Sequence, residues 1–313
     1  MTQQALIDAL EYARPHIHTG KVATYIPELA KMNPAHLGAC AMTMEGACLC
    51  AGDWQHKFSI QSISKTISLI LALQLVGSQK VFSKVGVEPS GDAFNSIVKL
   101  EINMPIPFNP MINAGAIATV GCCFGQTEDV YKAFLELAFK LCGCETITMD
   151  KNIYASESET GMRNRAIGYL LQNDGVLECK AEEAVDTYFK MCATLADTKA
   201  LAHYALVLAN NGKHPVTGEI LVEDWIVRIV KTMMFTCGLY DESGEFALDV
   251  GMPGKSGVGG GIIACAENKL GIATFGPALD PKGNSLGGLE LLKRLSQEQR
   301  LHMFSGNIYY KGE

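Results

Sequence analysis

Ser62 and Lys65 stand three residues apart in the stretch Phe58-Ser59-Ile60-Gln61-Ser62-Ile63-Ser64-Lys65. On a helical turn that spacing puts both side chains on one face, so the amine can reach the hydroxyl. A neutral lysine takes the serine proton, and the positive end of the helix favours the negative charge that develops beside it. The pattern is short, and a chain this rich in serine and lysine carries roughly one match by chance. Ser96-Ile97-Val98-Lys99 is such a second match. What sets the first apart is the run behind it, apolar on nearly every face and interrupted only by Thr66, Ser68 and Gln74 before Gly77. That run predicts a helix buried in the middle of the protein.

A second stretch, Gly254-Lys255-Ser256-Gly257-Val258-Gly259-Gly260-Gly261, also bears on chemistry. A phosphate loop needs glycine five residues before Gly254, where Asp249 stands. A dinucleotide fingerprint opens a helix, whereas Gly259-Gly260-Gly261-Ile262-Ile263-Ala264 runs into a strand-like segment near the chain's end. Neither phosphate reading survives. Lys-Ser-Gly at the start of a strand is instead the element that accompanies Ser-x-x-Lys in penicillin-recognising serine enzymes.

The elements that must carry these residues follow from periodicity. Residues 4–17 read as an amphipathic helix, Glu28 to Met32 as a short one opened by Pro27, and Leu37 to Met44 and Ala47 to Ala51 as a hairpin turning at Glu45-Gly46. From Ser64 to Cys237 the pattern is helices and loops only, with helices over Thr127 to Cys142, Asn164 to Gln172, Ala181 to Ala196, Lys199 to Asn211 and Val222 to Thr236. Met104 to Gly115, rich in Pro and Asn, reads as a long functional loop. Val258 to Glu267 and Leu270 to Phe275 read as strands and Ser285 to Gln297 as a closing helix. Strands at both ends and helices between them predict an α+β architecture: an antiparallel sheet built from both termini, flanked by helices, with an inserted all-helical domain. The expected division is a sheet-containing domain of residues 1–63 plus 238–313 and a helical domain of residues 64–237, with the active site in the cleft between them.

The chain has 313 residues, 48% of them hydrophobic, which is ample for a packed core. Its net charge of -7, with no basic block, argues against a nucleic-acid surface. Apolar runs are shorter than a membrane span, and Met1-Thr2-Gln3-Gln4 does not open like a signal peptide, so no membrane role and a cytoplasmic location are expected. The 11 cysteines are odd in number and lack a Cys-x-x-Cys pair, and the 7 histidines are dispersed. Reduced, buried thiols are expected, with no metal and no cofactor required.

Longer segments now matter: Tyr25-Ile26-Pro27, the Ser62 stretch, Asn109-Pro110-Met111-Ile112-Asn113-Ala114-Gly115-Ala116, Ser156-Glu157-Ser158-Glu159-Thr160-Gly161, Arg163-Asn164 and Lys255 to Gly261. With these the chain, from Gly20 to about Gly287, resembles the serine-dependent glutaminases, whose fold is related to the β-lactamases. The resemblance implies hydrolysis of the side-chain amide of L-glutamine to L-glutamate and ammonia through a γ-glutamyl-serine acyl-enzyme. It makes Ser62 the nucleophile, Lys65 the general base and Tyr240 the proton shuttle to the leaving ammonia. The N–H groups of Ser62 and Val258 would form the oxyanion hole. Asn113, Glu157, Asn164 and Tyr188 match substrate ligands, and Tyr25 and Gln61 match positions lining the pocket. It also implies a homodimer or homotetramer.

Elementary chemistry agrees with these roles. An α-ammonium group needs a carboxylate such as Glu157, and an α-carboxylate needs neutral donors such as Asn and Tyr. Lys65 acts as a base only with a lowered pKa, which burial or a neighbouring cation such as Lys255 supplies, so activity is expected to rise from neutral into alkaline pH. One element of the penicillin-recognising group, Ser-Asp-Asn, is absent, which counts against a β-lactam-recognising hydrolase. Two rival readings stay open beside the glutaminase one: a related amidase for another small amide, such as asparagine, and a non-catalytic amino-acid-binding protein.

Overall fold

The computed structural model describes residues 1–90 and 106–305. Ser96 and Lys99, and the first two residues of the expected loop at 104–115, lie outside them.

Five strands form the main sheet: β1 (Gly38–Thr43), β2 (Cys48–Gly52), β6 (Gly254–Gly257), β7 (Gly261–Ala266) and β8 (Leu270–Phe275). All neighbours are antiparallel, in the order β2-β1-β8-β7-β6, so the sheet is indeed built from both ends of the chain. Successive residues on a strand face opposite ways, and the central strands are apolar on both faces. Ile262 and Ala264 of β7 and Ile272 of β8 join Leu6 and Leu10 of α1 (Gln3–Ala13) and Leu291, Leu292 and Leu295 of α11 (Leu286–Gln299) in one core. Ile263, Cys265, Ala273 and Phe275 face the other way, into a core shared with α2 (Ser64–Phe82), α4 (Val130–Cys142), α8 (Thr198–Ala209) and α9 (Asp224–Cys237). The approach is close enough that a Cβ on Gly271 would stand 2.1 Å from the Leu206 nitrogen, so α8 lies on β8 only because that residue is glycine.

A third core joins α3 (Asn113–Gly121), α6 (Met162–Asn173) and α7 (Ala181–Cys192). Short polar side chains start many helices. Asp129 accepts from Lys132 N, Asp197 from Ala200 N, and Asp150 from Asn152 N and Ile153 N at the head of α5 (Lys151–Thr160). Each such cap is worth about 1 kcal/mol. α10 (Ser243–Asp249) follows a 3-10 turn at Tyr240–Glu242. Among the described residues no helix is long and apolar enough to cross a membrane.

Several expectations change in detail. The region from Ser64 to Cys237 is not free of strands: β4 (Thr148–Met149) and β5 (Thr194–Ala196) pair with β3 (Phe58–Ser59) in a three-stranded sheet. Such short strands have no room to show a period of two. The expected loop ends early, because Asn113 begins α3, and α5 was not anticipated at all. The helix read over 181–196 stops at Cys192. α1 ends at Ala13, and the chain continues as a 3-10 segment from Arg14. Gly77 breaks α2, as expected of a stop signal, with φ 75° and ψ 169°, but helical turns resume to Phe82. Lys255-Ser256-Gly257 lies on its own edge strand, and Val258 sits in the turn before β7 and not on it. Six of the cysteines are free and buried, as expected, but Cys40 and Cys50 are joined as a disulfide and Cys48 is exposed.

Candidate active site

β3 delivers the chain to a 3-10 turn, Gln61–Ile63, which runs directly into α2. Ser62 sits in that turn and Lys65 is the second residue of α2, so the pair straddles the start of the helix, with both side chains buried. Gln61 has φ 45°, in the left-handed region that non-glycine residues avoid at a cost of about 1–3 kcal/mol. Tyr240, at φ 51°, is strained in the same way. These two residues flank Ser62 from opposite walls, and strain of this kind collects where a side chain must be aimed.

A cavity opens above Ser62. It is lined by Tyr25, Gln61, Ser62, Asn113, Glu157, Asn164, Tyr188 and Val258, eight of the eleven residues singled out from the sequence. The remaining three, Lys65, Tyr240 and Lys255, are not among its lining residues. Lys65 Nζ donates to Asn113 Oδ1 at 2.7 Å and to the Met111 carbonyl at 3.2 Å. Asn113 Oδ1 also accepts from the Tyr188 hydroxyl at 3.1 Å, and Asn113 Nδ2 donates to Asn164 Oδ1 at 3.0 Å. One amide thus ties α2, α6 and α7 together from the first turn of α3. On the far side Gln61 Nε2 donates to Glu157 Oε2 at 3.3 Å. Tyr25 stands at the mouth, half exposed.

The strand wall holds the other two. Lys255 is fully buried and donates to the Gly238 and Ser256 carbonyls, both at 2.7 Å, with Nζ 4.6 Å from the centre of the Tyr240 ring. Ser62, Ser256 and the Val258 N–H lie close enough to the Tyr240 phenol to favour its ionised form. Glycine lets β6 close on the nucleophile's turn, since a Cβ at Gly257 would lie 2.6 Å from the Ile60 carbonyl and 3.3 Å from the Ser62 nitrogen.

Burial sets the charges. It holds Lys65 down at about 8, against smaller opposing pulls from Cys192 and Glu157. It pushes Glu157 up to about 8, against hydrogen bonds from Gln61 and Cys192 and the charge of Lys65. Lys255 is held well below the usual lysine value, first by burial and then by the charge of Lys65. The sequence offered burial or a neighbouring cation such as Lys255 as the cause of a lowered Lys65; burial is the main one, and the repulsion between the two buried lysines disfavours charge on both. Burial also pushes Tyr240 up to about 12. A lysine poised near neutrality beside a buried serine is equipped to take that serine's proton.

The sequence assigned no role to Cys192, whose buried thiol lies among Glu157, Lys65, Tyr188 and Ser64, nor to Thr160, Gly161 and Arg163, which belong to the matched segments and complete the rim between Glu157 and Asn164. For Cys192 the only signal was spacing, one helical turn after Tyr188; the other three were marked by the matched segments around Glu157 and Asn164.

A mixed fold with an antiparallel sheet, a Ser-x-x-Lys turn at the head of a buried helix and a Lys-Ser-Gly edge strand opposite define a protein of the β-lactamase-like class. Comparisons narrow that class. The family model described as Glutaminase matches residues 20–304, and the chain belongs to the glutaminase family. It is 47% identical over 306 residues to the glutaminase of Clostridium tetani, covering 97% of this chain and 100% of that one. Glutaminase 2 of Clostridium perfringens is 46% identical over 297 residues, covering 94% and 97%. Among solved structures, the covalent complex between Bacillus subtilis glutaminase YbgJ and 5-oxo-L-norleucine, formed by reaction of that protein with 6-diazo-5-oxo-L-norleucine, superposes with a TM-score of 0.88 at 38% identity, covering 96% of this chain and 99% of that one.

Proposed function

We propose that this chain hydrolyses the side-chain amide of L-glutamine to L-glutamate and ammonia through a γ-glutamyl ester on Ser62. The observation that carries this reading is the pairing of a buried serine and a pKa-lowered lysine beneath a cavity that offers one carboxylate and several neutral amide and phenol groups. The carboxylate, Glu157, receives the substrate's α-ammonium; Asn113, Asn164 and Tyr188 receive its α-carboxylate; Tyr25 and Gln61 enclose the chain between. Glu157 loses its proton more readily once that cation is beside it. The Bacillus subtilis complex lends support, because 5-oxo-L-norleucine is glutamine with a carbon in place of the amide nitrogen.

In this reading Lys65 removes the Ser62 proton as Oγ attacks the amide carbon. The carbonyl oxygen becomes an oxyanion between the N–H groups of Ser62 and Val258, a pair of donors whose single loss costs about a hundredfold or more. Tyr240 passes a proton to the nitrogen, the C–N bond breaks and ammonia leaves. Water then attacks the ester, its proton returns along the same groups, and the Ser62–acyl bond breaks to release glutamate. Lys255 acts one step back: its ammonium or amine lies under the Tyr240 ring and fixes the phenol's place.

The remaining parts of the reading are coarser. A sheet part of residues 1–63 plus 238–313 and a helical part of residues 64–237 would meet at this cavity. Nine free cysteines suit a reducing compartment such as the cytoplasm. The family resemblance favours a homodimer or homotetramer.

Ammonia release from L-glutamine by the purified chain, beside Ser62→Ala and with L-asparagine as competing substrate, tests the reading. Release that vanishes in Ser62→Ala is expected. Release unchanged in that variant would sink the acyl-serine mechanism, and preference for asparagine would move the substrate to the shorter amide.

A further inference from the structure

Far from the cavity, at the opposite edge of the sheet from Lys255, three cysteines converge. The β1–β2 register sets Cys40 opposite Cys50 and Met42 opposite Cys48. Because strand residues alternate, all four sulfur-bearing side chains share one face. The three Sγ atoms lie within 4.8 Å of one another, with Cys48 and Cys50 at 3.7 Å. Cys40 is fully buried, Met42 and Cys50 pack half-buried against the same core, and Cys48 is exposed.

A tetrahedral ion with metal–sulfur bonds of about 2.3 Å holds its sulfur ligands about 3.8 Å apart. Cys48 and Cys50 already stand at that separation, and the third sulfur is presented by the neighbouring strand. The cluster is all sulfur, with no carboxylate or imidazole among its members, which selects for soft cations over magnesium or calcium. We propose that the reduced hairpin binds one thiophilic d10 cation, such as Zn²⁺, Cd²⁺ or Cu⁺, through the thiolates of Cys40, Cys48 and Cys50.

The bond between Cys40 and Cys50 makes the site conditional. A dithiol reduces it, giving up two electrons and two protons and becoming a disulfide itself, while Cys40 and Cys50 become thiols. The ion then displaces the protons of three thiols. The disulfide and the ion use the same sulfurs, so the oxidised hairpin retains only the Cys48 thiol and does not hold the ion.

The test is a cadmium titration of the full chain, reduced with a dithiol that is then removed under argon, read by thiolate-to-cadmium ultraviolet absorption and by equilibrium dialysis. One tight equivalent is expected in the reduced chain. It should weaken about 100-fold or more, beyond what outer partners alone contribute, in Cys48→Ser and in the oxidised wild type. Cys48 is exposed, so that variant should fold, and circular dichroism checks it; a Cys40→Ser/Cys50→Ser double variant provides an independent loss of the site. Failure of the reduced chain to take up a stoichiometric equivalent, or an equivalent that persists in Cys48→Ser, overturns the proposal. Glutamine hydrolysis in Cys48→Ser is expected to be unchanged.

Discussion

Lys65 and Lys255 are the same residue type, both fully buried and both held below the usual lysine range by desolvation, yet their surroundings differ. Lys65, on the helix wall, bonds the Met111 carbonyl and also a side chain, Asn113, which in turn reaches Tyr188 and Asn164 at the cavity. Lys255, on the strand wall, bonds two backbone carbonyls and lies against the Tyr240 ring. A lysine three residues from the serine at the head of its helix is placed to take that hydroxyl's proton. One whose side-chain bonds all go to backbone carbonyls serves as a strut. Burial alone therefore does not make a base; the partners decide.

Predictions that could break this contrast run from large to small. Lys65→Met should lower kcat by about 10²–10⁴-fold, the range of general-base catalysis, with the fold retained by circular dichroism. Lys255→Met should lower it much less, and equal losses would end the distinction between base and strut. In the wild type, kcat/KM should rise as pH climbs through about 8, because Lys65 and Glu157 both become productive by losing a proton there. In Glu157→Gln the KM should rise sharply while the alkaline limb of kcat persists. A limb that disappears with Glu157 would assign it to the carboxylate and not to Lys65. Gly257→Ala, which presses a methyl toward the Ile60 carbonyl and Ser62 nitrogen, should reduce kcat by parting the two walls without shifting that limb. As a control outside the cavity lining, Asp197→Ala should remove the α8 cap, costing about 1 kcal/mol in denaturant melts and changing kcat least of all.

How the site was legible can be traced residue by residue. Ser62, Lys65 and Lys255 were found because their motifs are local, each a few residues long. Four strands of the main sheet were legible because β1 alternates and the two hairpin turns carry Gly46 and Asn268, both at positive φ; the edge strand Gly254–Gly257 was not separated from the one after it. Cys192 was missed because its place beside Glu157 depends on how α7 crosses α5, and nothing in its neighbours' spacing reports that. β4 and β5 were missed because strands of two and three residues have too few positions to show a period. α3 was missed because Pro110, Asn113 and Gly115 look like loop residues. There the glycine serves contact: a Cβ on Gly115 would lie 1.9 Å from the Asn109 carbonyl.

Sequence by itself determined the buried helix that begins just after Ser62 and carries Lys65, that the sheet draws strands from both ends of the chain, and the family to which the chain belongs, since each rests on short-range pattern or on long matched segments. Tertiary structure alone decided that both lysines are desolvated, that Asn113 joins three helices at the cavity, and that Cys40 meets Cys50 and Cys48 across a hairpin. Those outcomes depend on desolvation and on distances between residues far apart in the chain, and both come into being only when the elements pack.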